Sequence, residues 1–246
     1  MDDGKFSVAI PEPGWLDTFL SLLFPLMCVH CGQPGAWLCP ACAASLRPVG
    51  ALSCRRCGKP SLYAVESCRE CRGRFVHFAG ARAGFHFEGP ARSIVHGLKY
   101  GGQRRLAGLM AAISADFKHL TAAGKEVTLT YVPMHRSKLL MRGYNQAECY
   151  ARALSRRHHL PVRGLLTKVH PTPPQNQLGL DQRGKNVAGS FALAKGARVS
   201  GQQVVLIDDV YTTGSTADAC ARVLRRELGV VVNVWTFART VRRETD

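Results

Sequence analysis

Short apolar runs and amphipathic stretches alternate along the second part of the chain and predict strands and helices in turn. Residues 127–132 and 230–237 are rich in β-branched side chains and are predicted to form strands. Residues 204–207 form a wholly apolar run, which is typical of a strand buried on both faces. Residues 145–159 and 217–228 place apolar side chains at helical spacing. This order predicts an α/β fold with a mostly parallel sheet and flanking helices.

The first part of the chain contains few large apolar residues. Residues 15–23 have an amphipathic pattern and are predicted to form a short helix that packs on the core. Beyond them only scattered large apolar side chains occur, such as Trp37, Leu38 and Leu46. This region therefore needs a further source of folding free energy.

Length and composition indicate a globular protein. The chain has 246 residues, of which 46% are hydrophobic and 20% are charged, and this composition excludes a mostly disordered or fibrous protein. No apolar run approaches the roughly 18 residues that a membrane-spanning helix requires. The first apolar segment follows acidic rather than basic residues, unlike a secretory signal. We therefore expect a cytoplasmic protein without a membrane span.

Charge divides the chain near Gly73. Residues 1–71 contain equal numbers of acidic and basic residues, so the net charge of +16 lies on residues 72–246. A strongly basic domain attracts polyanions, either a phosphorylated small molecule or a nucleic-acid backbone. The charge indicates an anionic ligand but does not distinguish between these two classes.

Eight of the ten cysteines are clustered as four C-x-x-C pairs before residue 72. Each pair directs two thiolates to one point, and two pairs complete a tetrahedral four-sulfur site. The simplest grouping is sequential and predicts about two structural zinc ions, although an interleaved grouping fits the same spacing. An iron–sulfur cluster and a disulfide framework are the alternatives, and disulfides need an oxidising compartment. The predicted metal ligands are Cys28, Cys31, Cys39, Cys42, Cys54, Cys57, Cys68 and Cys71.

The cysteine and charge patterns change at the same place, which defines the predicted domains. Metal binding would supply most of the folding free energy of the cysteine-rich region, which we interpret as a double zinc ribbon. Replacing Cys54 or Cys68 is then expected to unfold the ribbon and leave the rest folded. The predicted segments are an N-terminal helical segment (residues 1–27), the double zinc ribbon (residues 28–72) and the α/β domain (residues 73–246).

The most informative sequence lies between a predicted central strand and the helix that follows it. Residues 204–216 read VVLIDDVYTTGST, so a buried strand leads to two carboxylates and a turn rich in hydroxyls. Ligands of open α/β sheets bind beyond the carboxyl ends of the strands, and a helix N-terminus favours a phosphate. Asp208 and Asp209 would repel that phosphate, so we assign them to sugar hydroxyls or to Mg²⁺ held through water. The turn predicts a site for a phosphorylated sugar.

This stretch resembles the binding motif of the type I phosphoribosyltransferases, enzymes that use phosphoribosyl pyrophosphate (PRPP). Together with the cysteine-rich region, it resembles the ComF family of bacterial competence proteins, which includes the GntX group. The similarity extends from about residue 16 to residue 240, with one departure at Lys168, where family members often carry arginine. The other matching segments are residues 97–100 (GLKY), residues 132–136 (VPMHR), residues 142–146 (RGYNQ), and Gln177 with Arg183, Asn186 and Val187.

The resemblance implies a type I phosphoribosyltransferase fold and a role for each matching residue. It implies that Asp208 and Asp209 are the catalytic acidic pair on the ribose hydroxyls, and that residues 175–186 close over the site. The implied 5′-phosphate and pyrophosphate loops consist of Thr212, Thr213, Gly214, Ser215, Thr216, Pro133, Met134, His135 and Arg136. Additional ligand contacts are assigned to Arg142, Asn145, Gln177, Arg183 and Asn186.

The first function implied by the resemblance is enzymatic. A phosphoribosyltransferase would bind Mg²⁺–PRPP, release pyrophosphate from C1 of the ribose and transfer the ribosyl phosphate to a nitrogen nucleophile. The specificity for that nucleophile would lie in residues 75–100. The protein would act by positioning and charge stabilisation, without a covalent nucleophile.

The second function is non-enzymatic, and the sequence leaves both open. A protein of DNA uptake would bind single-stranded DNA or act as a scaffold for other uptake proteins. Aromatic side chains would stack on bases, and backbone phosphates would contact basic residues. Charge reversal at Lys138, Arg156 or Arg157 is then expected to weaken DNA binding and spare PRPP. The aromatic candidates are Phe85, Phe87, Tyr100 and Tyr144.

Overall fold

The computed structural model describes residues 26–120, 126–170 and 189–241. Its strands in these ranges are β1 (Gly80–His86), β2 (Val127–Tyr131), β3 (Leu166–Lys168), β4 (Phe191–Leu193), β5 (Gln203–Tyr211) and β6 (Val231–Arg239). Its helices there are α1 (Pro40–Ala44), α2 (Gly89–Tyr100), α3 (Leu106–Ile113), α4 (Arg136–Arg142), α5 (Gln146–His158) and α6 (Ser215–Leu228). Short 3₁₀ turns occur at Arg69–Cys71 and Ala115–Leu120.

Four parallel strands form the central sheet in the order β1–β6–β5–β2, and β3 pairs with β4 in a separate antiparallel ribbon. This confirms the predicted α/β class with a mostly parallel sheet and flanking helices. Alternate side chains of the central strand β5 face the two layers. Val205 and Ile207 pack with α2, α3 and α5, whereas Val204 and Leu206 pack with α6.

The periodicity predicted most of the elements around the site, but it ended the central strand too early. β2, α5, α6 and β6 lie within two residues of their predicted bounds. The pairing of β5 with β6, however, continues as far as Tyr211 opposite Arg239. Asp208 and Asp209 therefore belong to the strand and not to the turn that follows it.

The cysteine-rich region covers one edge of the sheet. β1 is an edge strand, and its outer backbone groups bond to this region. The N–H of Ala81 donates to the carbonyl of Arg56 over 3.0 Å, and the N–H of Val49 donates to that of Gly84 over 3.0 Å. Because an unpaired edge strand invites pairing with other chains, these bonds protect the sheet as well as anchoring the ribbon.

Several sequence predictions fall outside the described residues. These are the helix over residues 15–23, the closing loop over residues 175–186, and the ligand contacts assigned to Gln177, Arg183 and Asn186. Among the helices that the structure describes, none is both long and apolar enough to cross a membrane.

Candidate functional site

A cavity of about 470 Å³ opens beyond the carboxyl ends of β5 and β2. This is where an open α/β sheet places its ligands. Thr213, Ser215 and Arg136 were predicted to be ligands but do not line the cavity. The predicted ligands that line it are Asp208, Asp209, Thr212, Gly214, Thr216, Pro133, Met134, His135, Arg142 and Asn145.

Asp209 forms a buried ion pair in the wall of this cavity. Only 3% of the residue is exposed, and its Oδ1 lies 2.9 Å from Nζ of Lys99 on α2. Burial alone would lower the pKa of Lys99, but the carboxylates of Asp209 and Asp208 raise it, so the lysine stays charged. The second oxygen of Asp209, Oδ2, is buried and has no hydrogen-bond partner among the described residues. This unsatisfied acceptor suits a ligand hydroxyl.

Asp208 holds a proton more readily than an ordinary aspartate. Burial raises the pKa of Asp208 from 3.8 to about 7, and the charge of Asp209 is the second cause of the rise. Lys99 and Lys168 oppose this rise only in part. The positive charge of Lys99 and Lys168 therefore does not fully offset the repulsion between the two adjacent carboxylates, and ionising Asp208 costs free energy when no ligand is bound.

An Asp208→Asn variant is expected to be more stable than the wild type at pH 8, by an amount that shrinks toward pH 5. Because the folded-state pKa of Asp208 is raised, its proton stabilises the fold at low pH, and this contribution is lost as the pH rises through about 7. Asparagine is neutral at every pH, so the variant keeps the stability that the wild type loses when Asp208 ionises, on the order of 2 kcal/mol. Thermal unfolding at pH 8 should show a gain of about 4–8 °C.

The matched control for this prediction is Asp116→Asn, because Asp116 is an exposed carboxylate outside the cavity. Its melting temperature should follow that of the wild type at both pH values. Equal melting temperatures of Asp208→Asn and the wild type at pH 8 would show that Asp208 carries no such cost.

The turn after β5 brings backbone close to the cavity. Gly214 has a φ of +78° and caps the N-terminus of α6. A Cβ atom there would lie 2.2 Å from the hydroxyl of the buried Tyr211, so a larger residue must displace that ring. Thr212 and Thr216 line the cavity on either side of the glycine. The turn thus combines hydroxyls with the N–H groups and positive end of a helix, the groups that bind phosphate.

The hydroxyls of Thr213 and Ser215 shape the turn itself. They are hydrogen-bonded to each other at 2.9 Å, and the N–H of Ser215 donates to Oγ1 of Thr213 at 3.4 Å. The carbonyl of Thr213 accepts a hydrogen bond of 2.8 Å from Nη1 of Arg74. The backbone N–H of Arg74 in turn donates to the carbonyl of Cys71 at 3.2 Å. The second zinc ribbon therefore contacts the turn through one residue.

The loop between β2 and α4 supplies another wall of the cavity. His135 caps α4, because its Nδ1 accepts a hydrogen bond of 3.3 Å from the N–H of Ser137. An accepting Nδ1 leaves the ring proton on Nε2, which can donate to a ligand. Lys138 is a cation of this wall, whereas Arg136 is exposed and lies outside the cavity. Arg136, predicted to contact the ligand, thus lies outside the cavity, and Lys138, expected to lie away from the site, lines it.

Arg142 and Asn145 hold this loop against α5 and also line the cavity. The side chain of Asn145 accepts from the N–H of Ala147 and donates to the carbonyl of Val132, each over 3.0 Å. Arg142 donates to Oε1 of Gln146 over 2.5 Å. Both residues thus position the cavity wall, in addition to any contact with a ligand.

The eight paired cysteines form two separate clusters, and within each the four Sγ atoms lie within 4.8 Å of one another. None of them forms a disulfide. This is the sequential grouping, and four thiols at this spacing fit a tetrahedral zinc ion. The first cluster consists of Cys28, Cys31, Cys39 and Cys42, and the second of Cys54, Cys57, Cys68 and Cys71.

Backbone N–H groups around the clusters favour thiolate ligands. The N–H of Cys39 donates to Sγ of Cys28 at 3.5 Å, and the N–H of Cys68 donates to Sγ of Cys54 at 3.3 Å. Burial alone would raise the pKa of Cys28, but backbone hydrogen bonds from Cys31, Cys39 and His30 lower it to about 6. Since zinc binds the thiolate, the fold prepares this sulfur for the metal.

Comparisons with known proteins agree with this arrangement. The model of the double zinc ribbon domain matches residues 19–72. The DNA utilization protein YhgH of Escherichia coli K12 is 26% identical over 229 residues, or 89% of this chain and 100% of that protein. Competence protein F of Haemophilus influenzae is 28% identical (88% and 98%), and Competence protein ComFC of Bacillus subtilis is 25% identical (83% and 84%). These matches confirm the similarity to the ComF family that the sequence motifs predicted.

Three lysines line the cavity although sequence reasoning did not assign them to it: Lys99, Lys138 and Lys168. Lys99 lies in the GLKY segment (residues 97–100), which carried part of the family resemblance, and this match could have assigned Lys99 to the site. Lys168 is the position at which the resemblance departs from a frequent arginine, and burial, with the charge of Lys138 second, lowers the pKa of this lysine. No sequence signal distinguished Lys138 from the other exposed cations of α4.

The chain does not offer all four predicted aromatic side chains to nucleic-acid bases. Phe85 is 1% exposed and Tyr144 is 7% exposed, so stacking on a base is excluded for both. The hydroxyl of Tyr144 donates instead to the carbonyl of Leu98. Tyr100 is exposed and Phe87 lines the cavity, so these two remain at the ligand-facing surface.

Proposed function

We propose that this chain binds Mg²⁺–PRPP in the cavity beyond β5 and β2, and that it acts in the handling of DNA that enters the cell. One observation carries the first part of the proposal. A single cavity joins two carboxylates, Asp208 and Asp209, to a glycine turn at the N-terminus of a 14-residue helix. A phosphorylated sugar carries the complementary hydroxyls and phosphate at neighbouring positions.

The turn is assigned to the 5′-phosphate. The N–H groups at the start of α6 and the hydroxyls of Thr212 and Thr216 are donors, and the helix dipole favours an anion. Asp208 and Asp209 accept hydrogen bonds from the ribose hydroxyls, and the unpartnered Oδ2 of Asp209 is one of these acceptors. The Nζ of Lys99 lies 2.9 Å from Oδ1 of Asp209 and leaves Oδ2 for this role.

The pyrophosphate group is assigned to the wall formed by the loop after β2. His135, Lys138 and Arg142 line this wall, and Lys168 adds another cation to the cavity. A pyrophosphate with its magnesium ion still carries negative charge, which these side chains offset. The arrangement of charge thus separates a cationic side for pyrophosphate from an acidic pair for ribose.

The chemistry that this site would perform is ribosyl transfer. The bond between C1 and the pyrophosphate oxygen breaks, pyrophosphate leaves with the bonding electrons, and a nitrogen nucleophile forms the new bond to C1 and loses a proton. The protein contributes position and charge stabilisation. Phe87 and Tyr100 line the same cavity within the segment expected to select the acceptor, and their rings suit a planar nitrogen compound.

The link to DNA rests on the relatives and on the charge of the chain. The relatives described above are a DNA utilization protein and two competence proteins. The net charge of +16 favours a polyanionic partner. These observations support a second candidate function on the same fold, the binding of single-stranded DNA without ribosyl transfer.

Calorimetry with Mg²⁺–PRPP tests the first proposal. The wild type should bind, and the double variant Asp208→Asn/Asp209→Asn should lose binding because its sugar contacts are weakened. The exposed Asp116→Asn variant, with the same chemical change elsewhere, should bind like the wild type. No heat of binding for the wild type would overturn the assignment.

A pyrophosphate-release assay then separates the two functions. Release in the presence of a nitrogen base or amine would establish a transferase. Binding of PRPP without release across such acceptors would favour the non-enzymatic function, in which PRPP is a bound effector.

A further inference from the structure

A second cavity, of about 390 Å³, lies against another face of α6. Its walls include Ser215, Asp218 and Arg222, which share one helical face, whereas Gly214 and Thr216 line the first cavity. The segment that leaves the second zinc ribbon forms the facing wall. The cavity therefore adjoins the phosphate-binding turn without being part of it.

The second cavity is lined by three guanidinium groups and one carboxylate. Arg74, Arg222 and Arg226 supply the positive charge. Arg226 is paired with the carboxylate of Glu227, whose Oε1 lies 2.5 Å from Nη2 of the arginine, whereas Arg222 has no carboxylate within 4 Å among the described residues. The carboxylate of Asp218 is already engaged, because it accepts from the N–H of His77 at 2.6 Å and lies 3.1 Å from Nδ1 of that ring. Arginines presented in this way favour phosphate oxygens, which they bind with two parallel hydrogen bonds.

An exposed aromatic ring stands beside these arginines. Phe75 is 71% exposed, and its ring lies edge-on to that of His77, with the centroids 5.0 Å apart. His77 lines the cavity, so Phe75 extends the same surface. Aromatic rings next to a cationic groove are the feature on which the bases of single strands stack, whatever their sequence.

We infer that a single-stranded nucleic acid binds at this second cavity, with a backbone phosphate against Arg222 and Arg226 and a neighbouring base on Phe75. The inference rests on the DNA-handling role proposed above and gives that role a location. The location differs from the one expected from sequence, at Lys138, Arg156 or Arg157, and neither Arg156 nor Arg157 lines either of the two cavities described.

Arg74 places the strand next to the PRPP site. It lines the second cavity and also donates to the carbonyl of Thr213 in the turn of the first. The nucleic acid and PRPP would therefore occupy neighbouring surfaces at the N-terminal end of α6, and Arg74 would link these two surfaces. We leave Arg74 unchanged in the test below, because its replacement would disturb both sites.

The test measures binding of a labelled oligothymidylate of about 20 nucleotides by fluorescence anisotropy across a salt series. The double variant Arg222→Glu/Arg226→Glu should bind at least about tenfold more weakly, with a log–log salt slope reduced by about 0.7, the value for one lost phosphate contact. Phe75→Ala should weaken binding by at least about fivefold. Both variants should bind Mg²⁺–PRPP like the wild type.

The matched controls change the same chemistry elsewhere. Arg156→Glu/Arg157→Glu reverses two exposed charges near the end of α5, and Tyr63→Ala removes an exposed ring on the second ribbon. If each control weakens binding as much as its counterpart, the location is wrong while the DNA-handling role stands. If the wild type fails to bind the oligonucleotide even at low salt, the DNA-handling role and the inference both fail.

Discussion

A Gly214→Val variant is expected to lose Mg²⁺–PRPP binding by at least about a hundredfold. At a φ of +78° a β-branched residue is strained by about 1–2 kcal/mol. Its Cβ would also lie 2.2 Å from the hydroxyl and 2.6 Å from Cζ of Tyr211. Since Tyr211 is buried, the turn must move, and its N–H groups leave the positions that phosphate requires. Calorimetry with Mg²⁺–PRPP measures the loss.

The other end of the same helix supplies a control. Gly229 caps the C-terminus of α6 with a φ of +66°, and a Cβ there would meet no atom within 4 Å. Gly229→Val therefore carries a similar backbone strain without the contact with Tyr211. It should lower the melting temperature but keep PRPP binding. Comparable PRPP affinity in Gly214→Val and the wild type would show that the turn does not hold the phosphate.

The sequence predicted the elements of the site because their signals are local. A β-branched run, a carboxylate pair, a glycine turn and an amphipathic stretch occur within residues 204–228 in the order that makes strand, turn and helix. The sequential cysteine grouping was also predictable, since each C-x-x-C turn fixes two ligands and adjacent pairs need the least chain to meet. Both features depend on short separations along the chain.

The features that the sequence did not predict depend on contacts between distant segments. Lys99 pairs with Asp209 because α2 packs across the end of β5, which no local pattern shows. Tyr144 follows Arg142 and Gly143 in an apparently exposed loop motif, yet its ring is buried with the guanidinium of Arg104 4.6 Å from its centroid. Burial is set by the whole fold, so aromatic residues could not be sorted into core and surface beforehand.

The largest difference between the expectation from sequence and the structure is the relation between the ribbon and the α/β domain. The sequence suggested a separable ribbon, because charge and cysteine content both change near residue 73. In the structure, Cys54 is fully buried, and it belongs to the same hydrophobic cluster as Val204 and Leu224 of the α/β domain. The second zinc cluster is therefore part of the core that supports β5 and α6.

Hydrogen bonds reinforce this shared core. Arg82 of β1 donates to the carbonyls of Cys54 and Arg55 over 3.1 Å and 2.9 Å. Arg239 at the end of β6 donates to the carbonyl of Cys57, and its guanidinium lies 5.1 Å from the ring centroid of Tyr211. Because Tyr211 supports Gly214, the second cluster reaches the turn at Gly214 by this route as well as through Arg74.

A Cys54→Ser variant is consequently expected to lose one of the two zinc ions and to destabilise the whole protein, not the ribbon alone. Structural zinc contributes roughly 10 kcal/mol or more of binding free energy to the folds that hold it. Losing even half of that should lower the melting temperature by on the order of 10 °C or more. Mg²⁺–PRPP binding should weaken too, because the contacts behind Gly214 and Thr213 are lost. Elemental analysis, thermal unfolding and calorimetry measure the three effects.

Cys149→Ser is the matched control, since Cys149 is a partly buried cysteine on α5 outside both clusters. It should keep two zinc ions per chain, PRPP binding and a melting temperature within about 2 °C of the wild type, as expected for a modest loss of buried contact. A Cys54→Ser protein with one zinc ion but unchanged PRPP affinity and an unchanged main transition would show that the ribbon folds independently. Loss of one zinc ion together with a lower melting temperature and weaker PRPP binding would establish that the second cysteine cluster supports the turn at Gly214.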